Sequence, residues 1–178
     1  MVVIGDSAAI GKNSDPSRPG AVVRANSWAT GTNPAVNSLY RRMLAHNAAI
    51  RGHNFNLAEP GGTVTMMAQE AQRALRLNPR PDLFVTQVMD NDLVCPAAAA
   101  DLGAFRARFV SALNVISKGA PSASLFVVSQ FGSPGAICAC THPCRAPERG
   151  RRDRPLRLHR PKRLDRFRQD PRARQGDS

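Results

Sequence analysis

Val2-Val3-Ile4-Gly5-Asp6-Ser7 is the stretch on which the fold turns. Three β-branched residues in a row, with no polar alternation, read as a strand covered on both faces, the habit of parallel sheets. Gly5-Asp6-Ser7 then stops the run in a tight turn. A serine in that place is lifted to the sheet rim, and its backbone N–H, at the start of the next segment, can face a developing oxyanion. An ordinary strand-end turn without chemistry is the other reading, and three residues alone do not separate the two.

Downstream of Ser7 a polar, Gly/Pro-rich loop is expected, then a helix capped by Asn37 or Ser38 with Leu39, Met43, Leu44 and Ala48 at helical spacing, ended by Gly52. His53 to Ala58 reads as a second strand and Pro60-Gly61-Gly62 as a turn. Thr63 to Leu77 reads as a helix with Val64, Met67, Ala71, Ala74 and Leu75 on one face. Leu83 to Val88 is the third expected strand. Ala98 to Lys118 is a third helix, closed by Gly119, whose inner face is expected to carry Leu102, Phe105, Phe109, Val110, Leu113 and Ile116. Leu125 to Val128 is the fourth strand. Strands alternating with helices in this way imply an α/β fold, a parallel sheet with helices on both faces. In such sheets functional groups gather beyond the carboxyl ends of the strands, which puts Ser7, Gly61 and Asn91 on one rim.

The 178 residues suffice for one domain with a sizeable core, and no apolar run approaches the roughly 18 to 20 residues of a membrane span. The first residues have no basic region, apolar core or small-residue cleavage site, so no signal peptide is read in this chain. The net charge of +12 would suggest an anionic partner, but it is unevenly placed. From Arg145 to Ser178, 13 Arg or Lys stand against 5 Asp or Glu, so that stretch alone carries +8. Residues 1–137 are therefore read as the folded domain and 138–178 as a basic Arg/Pro-rich tail, expected to be disordered for want of apolar periodicity.

Two further constellations follow the second and third strands. Gly61-Gly62-Thr63 stands before a helix, where glycine allows close backbone approach and free N–H groups meet negative charge. Asp90-Asn91-Asp92 could aim a side-chain amide into the same rim, and helix capping by Asp92 or a neighbour is the structural alternative. With all three in order, the sequence resembles the SGNH (GDSL-type) hydrolases. Val3-Ile4-Gly5-Asp6-Ser7 looks like that family's nucleophile block, Pro60-Gly61-Gly62-Thr63 like its glycine block, and Val88-Met89-Asp90-Asn91-Asp92 like its Gly-x-Asn-Asp block.

The resemblance covers roughly residues 2 to 135 and implies a flavodoxin-like three-layer sandwich, incomplete at its C-terminal end. It also implies hydrolysis of carboxylic esters, small or lipid, with Ser7 as nucleophile and Ser7, Gly61 and Asn91 as the oxyanion hole. Many members are secreted, so an extracytoplasmic location is expected. No cofactor or metal is expected, and the chain is expected to be a monomer.

Two departures stand out. Met89 replaces the block's usual glycine. The family's late Asp-x-x-His does not occur, because none of Asp153, Asp165, Asp170 or Asp177 has a histidine three residues on. Impaired activity is expected on that ground, and the abrupt Arg/Pro-rich segment is read as a replaced C-terminus. His46 and His53 belong to the first helix and its end, and His159 lies deep in the tail. His142, fourteen residues beyond the fourth strand, has the reach of a general base but no evident orienting partner. Cys138, Cys140, His142 and Cys144 crowd too tightly for a usual tetrahedral zinc site. The competing reading is a catalytically dead α/β domain whose basic tail binds nucleic acid or an anionic membrane through counterion release. Phe167 is the tail's one aromatic residue, so no specific nucleic-acid recognition is expected.

Overall fold

A computed structural model describes residues 1–92 and 98–129. Its elements are β1 (Val2–Gly5), α1 (Ser7–Ile10), α2 (Leu39–His46), β2 (Phe55–Asn56), α3 (Val64–Ala74), β3 (Leu83–Gln87), α4 (Ala99–Gly119) and β4 (Ser124–Val127). The four strands form one sheet in the order β2-β1-β3-β4, and every pair is parallel. The expected α/β class with a parallel sheet is therefore what the chain adopts.

Strand alternation sorts the core into two faces. Val2, Ile4 and Phe84 pack with Met67, Ala71 and Ala74 of α3 and with Ala112 and Ile116 of α4. Val3 and Val85 point the other way, toward Ala9 and Ile10 of α1 and Tyr40 of α2. A strand with apolar residues on both faces needs helices on both, which is why β1 reads as an unbroken β-branched run. Each large apolar side chain so buried stabilises the fold by roughly 1.5 to 3 kcal/mol.

The boundaries differ from the sequence reading in instructive ways. Ser38 is the residue that caps α2, accepting the Arg41 N–H, while Asn37 takes a left-handed φ of 49°. α2 stops at His46, and Ala48–Ile50 forms a separate 3₁₀ turn rather than a last helical turn. β2 is two residues long, not six. α3 ends at Ala74, three residues before the expected Leu77. β3 ends at Gln87 and β4 spans Ser124–Val127, each one residue from its expected span. The loop expected after Ser7 begins with a short helix, capped by Asp6 and ended by Gly11.

The inner face of α4 needs correction. Leu102 and Val110 are 40% and 47% exposed, whereas Phe109, Ala112, Leu113 and Ile116 face or border the core and Phe105, half-buried, stacks on Phe109. Val110 lies about 100° around the helix from Phe109 and so falls off the stripe. Leu102 lies on the stripe, but in the opening turn of α4, where the described core does not extend. Among the described residues no helix is long and apolar enough to cross a membrane. The expected tail, 138–178, and the end of the 1–137 domain lie outside the described residues.

Candidate active site

The strand order places a switch point in the sheet. From β1 the chain moves to one side to make β2, then returns past β1 to make β3 on the other side. The crevice beyond the carboxyl ends of β1 and β3 is where open α/β sheets bind ligands. Ser7 follows β1 there, and Asn91 follows β3.

The β1–α1 turn is built from its backbone. Gly5 has φ of 137°, and a Cβ at this position would collide with the Gln87 carbonyl oxygen. Only glycine allows β1 and β3 to stay in register at this point. The Asp6 N–H donates to the same Gln87 oxygen at 3.1 Å. Asp6 Oδ1 accepts the Ala8 N–H at 2.9 Å and so caps α1. Ser7 is thereby the first residue of a helix, half-buried, and no other described residue is hydrogen-bonded to its hydroxyl or its N–H.

The glycine loop is stitched to this turn. The Glu59 N–H donates to the Gly5 carbonyl at 3.1 Å, and the Gly62 N–H to Glu59 at 2.9 Å. Gly62 packs so closely on the Gly5 carbonyl that a side chain there would overlap it. Gly61, with φ of 78°, is exposed, and its N–H makes no bond to another described residue. Thr63 Oγ1 then accepts the Met66 N–H and starts α3.

The third segment closes on the second. Asn91 Nδ2 donates to the Gly62 carbonyl at 2.9 Å, and Asp92 Oδ2 accepts the Val64 N–H at 2.8 Å. Asp92 is thus a helix cap, but of α3 across the rim rather than of the helix that follows it. An amide nitrogen carries two hydrogens, so Asn91 keeps a second donor beyond the one given to Gly62. Met89 adopts no left-handed φ, and its carbonyl accepts the Asp92 N–H, so methionine is accommodated where glycine was expected.

Three carboxyls in this region are displaced from their ordinary range. Burial pushes Glu70 up to about 7, against the opposing pull of the Gly5 N–H and Arg73. Burial also raises Asp6, with the Ala8 amide working against it and nearby Asp90 adding to it. Asp92 is raised by burial, countered by the Val64 N–H and Arg108. Glu70 escaped the sequence reading, although it falls on the α3 face defined by Met67, Ala71 and Ala74 and so had to be buried.

No described histidine belongs to this rim. The His53 carbonyl accepts the N-terminal amine of Met1 at 2.7 Å, and His53 shares a cavity with Met1, Asn47 and Asp82 at the amino ends of the strands. At about 3.3 Å per residue, the length of β1 separates that end from Ser7. His46, beside Asn47, is exposed at the end of α2. His142, His159, Cys138, Cys140 and Cys144 lie outside the described residues. Ser7, Gly61 and Asn91 are therefore the predicted residues gathered on one rim. No protein-family model, curated protein or solved structure matches the chain.

Proposed function

We propose that this chain is a serine ester hydrolase of the SGNH type, its sheet belonging to the flavodoxin-like sandwich of that family. The observation that carries the reading is the Asn91 Nδ2 bond to the Gly62 carbonyl, which ties the asparagine segment to the glycine loop already seated on the Ser7 turn. The N–H groups of Ser7 and Gly61, which no other described residue engages, and the second Asn91 amide hydrogen supply three donors for an oxyanion. In this chemistry the Ser7 hydroxyl proton passes to solvent as its oxygen bonds to the ester carbonyl carbon and the carbonyl π pair moves onto the carbonyl oxygen. That pair then re-forms the carbonyl as the carbon–oxygen bond to the alcohol breaks, and the alcohol leaves with a proton taken from water. The donors hold the negative charge through that step, and water later releases the acid.

A serine hydroxyl without a base is a weak nucleophile, and the 178 residues contain no Asp-x-x-His. Slow turnover therefore follows, because in serine hydrolases losing the histidine costs on the order of 10⁶ while the oxyanion hole retains roughly 10³ to 10⁴ over water. The test is labelling with a small fluorophosphonate together with hydrolysis of a short p-nitrophenyl ester. Ser7 should be the labelled residue, with only marginal ester turnover. Asn91→Ala should cut labelling roughly a hundredfold to a thousandfold, the cost of one oxyanion donor. Joining an Asp-x-x-His segment after β4 should raise turnover by orders of magnitude, and Ser7→Ala should then abolish the gain. Label on any other residue, or turnover indifferent to Ser7→Ala, overturns the reading.

A further inference from the structure

The Gly5 N–H has an unusual partner. β2 has only two residues, and in place of a neighbouring strand's carbonyl the acceptor is Glu70 Oε2 of α3, 65 residues away, at 2.6 Å. Glu70 is 1% exposed, and its second oxygen, Oε1, has no hydrogen-bond partner among the described residues. The carboxyl is thus held by one backbone amide of the turn that carries Ser7, and by no other hydrogen bond among the described residues. A hydrogen bond to a carboxylate is roughly twice as strong as one to a neutral acceptor, so its grip on Gly5 depends on whether it is ionised.

We propose that Glu70 is a positioning residue for Ser7, fixing the Gly5-Asp6-Ser7 turn through the Gly5 N–H, firmly when ionised and loosely when protonated. The inference rests on Ser7 being the nucleophile. The charged groups acting on Glu70 are Asp6 in the turn, Glu59 in the loop after β2, and Arg73 on α3 itself. Asp90, after β3, acts on Asp6, and Arg108 of α4 acts on Asp92 through its charge. Arg73 favours the ionised form, while Glu59 and Asp6 oppose it. The Arg73–Glu59 ion pair is open to solvent, so it can be altered without disturbing the core.

The full chain, labelled with ¹⁵N, is followed by NMR from about pH 5 to about pH 9, and Ser7 labelling by the fluorophosphonate is timed at the same points. The Gly5, Asp6 and Ser7 amides should shift together with a midpoint near 7. Ser7 labelling should rise severalfold through the same midpoint, above the smooth slope due to hydroxide. Glu70→Gln should abolish both steps. Arg73→Gln should move both midpoints upward, and it carries the test if Glu70→Gln does not fold. Amide shifts that persist in Glu70→Gln, or midpoints unmoved in Arg73→Gln, overturn the proposal. Labelling of Ser7 without a step, while the amides titrate, overturns the positioning role and leaves the esterase reading standing. Titrating amides with no labelling of Ser7 at any pH sink the esterase reading, and the positioning role falls with it.

Discussion

Ionising Glu70 within the fold leaves Oε1 without solvent or donor, and the free energy of the whole chain registers that cost. The native state keeps the proton up to about 7, whereas the unfolded chain releases it near 4.5. Between those values the native state binds more protons, so stability is greatest below the unfolded value and is lost as pH rises through the folded one. The difference is on the order of 3 kcal/mol. Urea unfolding between about pH 5 and about pH 8 should therefore show a falling stability in the wild type and a much flatter course in Glu70→Gln. A wild type that gains stability over that range would contradict the burial argument. Glu70 also shows what a sequence conceals at this scale. Ser7, Gly61 and Asn91 could be picked out because each follows a strand in a turn with few physical alternatives. Glu70 sits in a helix whose apolar face is described well enough without it, and its partner lies 65 residues away. The same distance problem hid the bond between Asn91 and Gly62, since nothing in either segment alone specifies the other.

Elements were readable where one stripe or one run carries the information, and less so where a neighbour sets the limit. The unbroken apolar run of β1 and the spacing of Val64, Met67, Ala71 and Ala74 in α3 describe surfaces covered along their whole length. β2 is cut to two residues because the chain leaves the sheet to form the glycine loop, and that depends on Gly5 and Gly62 touching. α1 was hidden by its length, although Asp6 before Ser7 and Gly11 after Ile10 are ordinary cap residues. The amino end of α3 gives an element-level prediction, because two side chains share it. Asp92 accepts the Val64 N–H at 2.8 Å with a charged oxygen, while Thr63 accepts the Met66 N–H at 3.4 Å. The shorter, charge-assisted bond near the positive end of the helix dipole is the stronger. Asp92→Ala should cost about 1 to 2 kcal/mol in urea unfolding and Thr63→Ala less. The reverse order would mean that the third segment does not support α3.

At the scale of the molecule, the order β2-β1-β3-β4 puts the two strands that bear the site in the middle and leaves β4 at one margin. That order was not readable, because sequence periodicity says which residues are strand but not which strands are neighbours. β4 pairs with β3 on one side, and among the described residues no strand pairs with the other. All four of its residues are exposed, and Leu125, Phe126 and Val127 present apolar surface on alternating faces, with Phe126 48% exposed. Natural edge strands are usually protected by lysine, proline or a bulge, because unpaired N–H and C=O groups recruit another strand. From Ser122 to Gln130 there is neither a charged residue nor a proline, so β4 has no guard of that kind within its own segment. A short, uncharged, β-prone segment of this kind favours strand pairing between chains. The monomer expected from the sequence should therefore give way to larger species as concentration rises, as light scattering on a gel-filtration column would show. Phe126→Lys should suppress that association, because a charge on the edge strand opposes pairing while removing little buried surface. Its unfolding free energy should stay within about 0.5 kcal/mol of the wild type, as befits an exposed site. Association that persists unchanged in Phe126→Lys would place its cause elsewhere, with the Leu102 and Val110 surface of α4 the next to substitute.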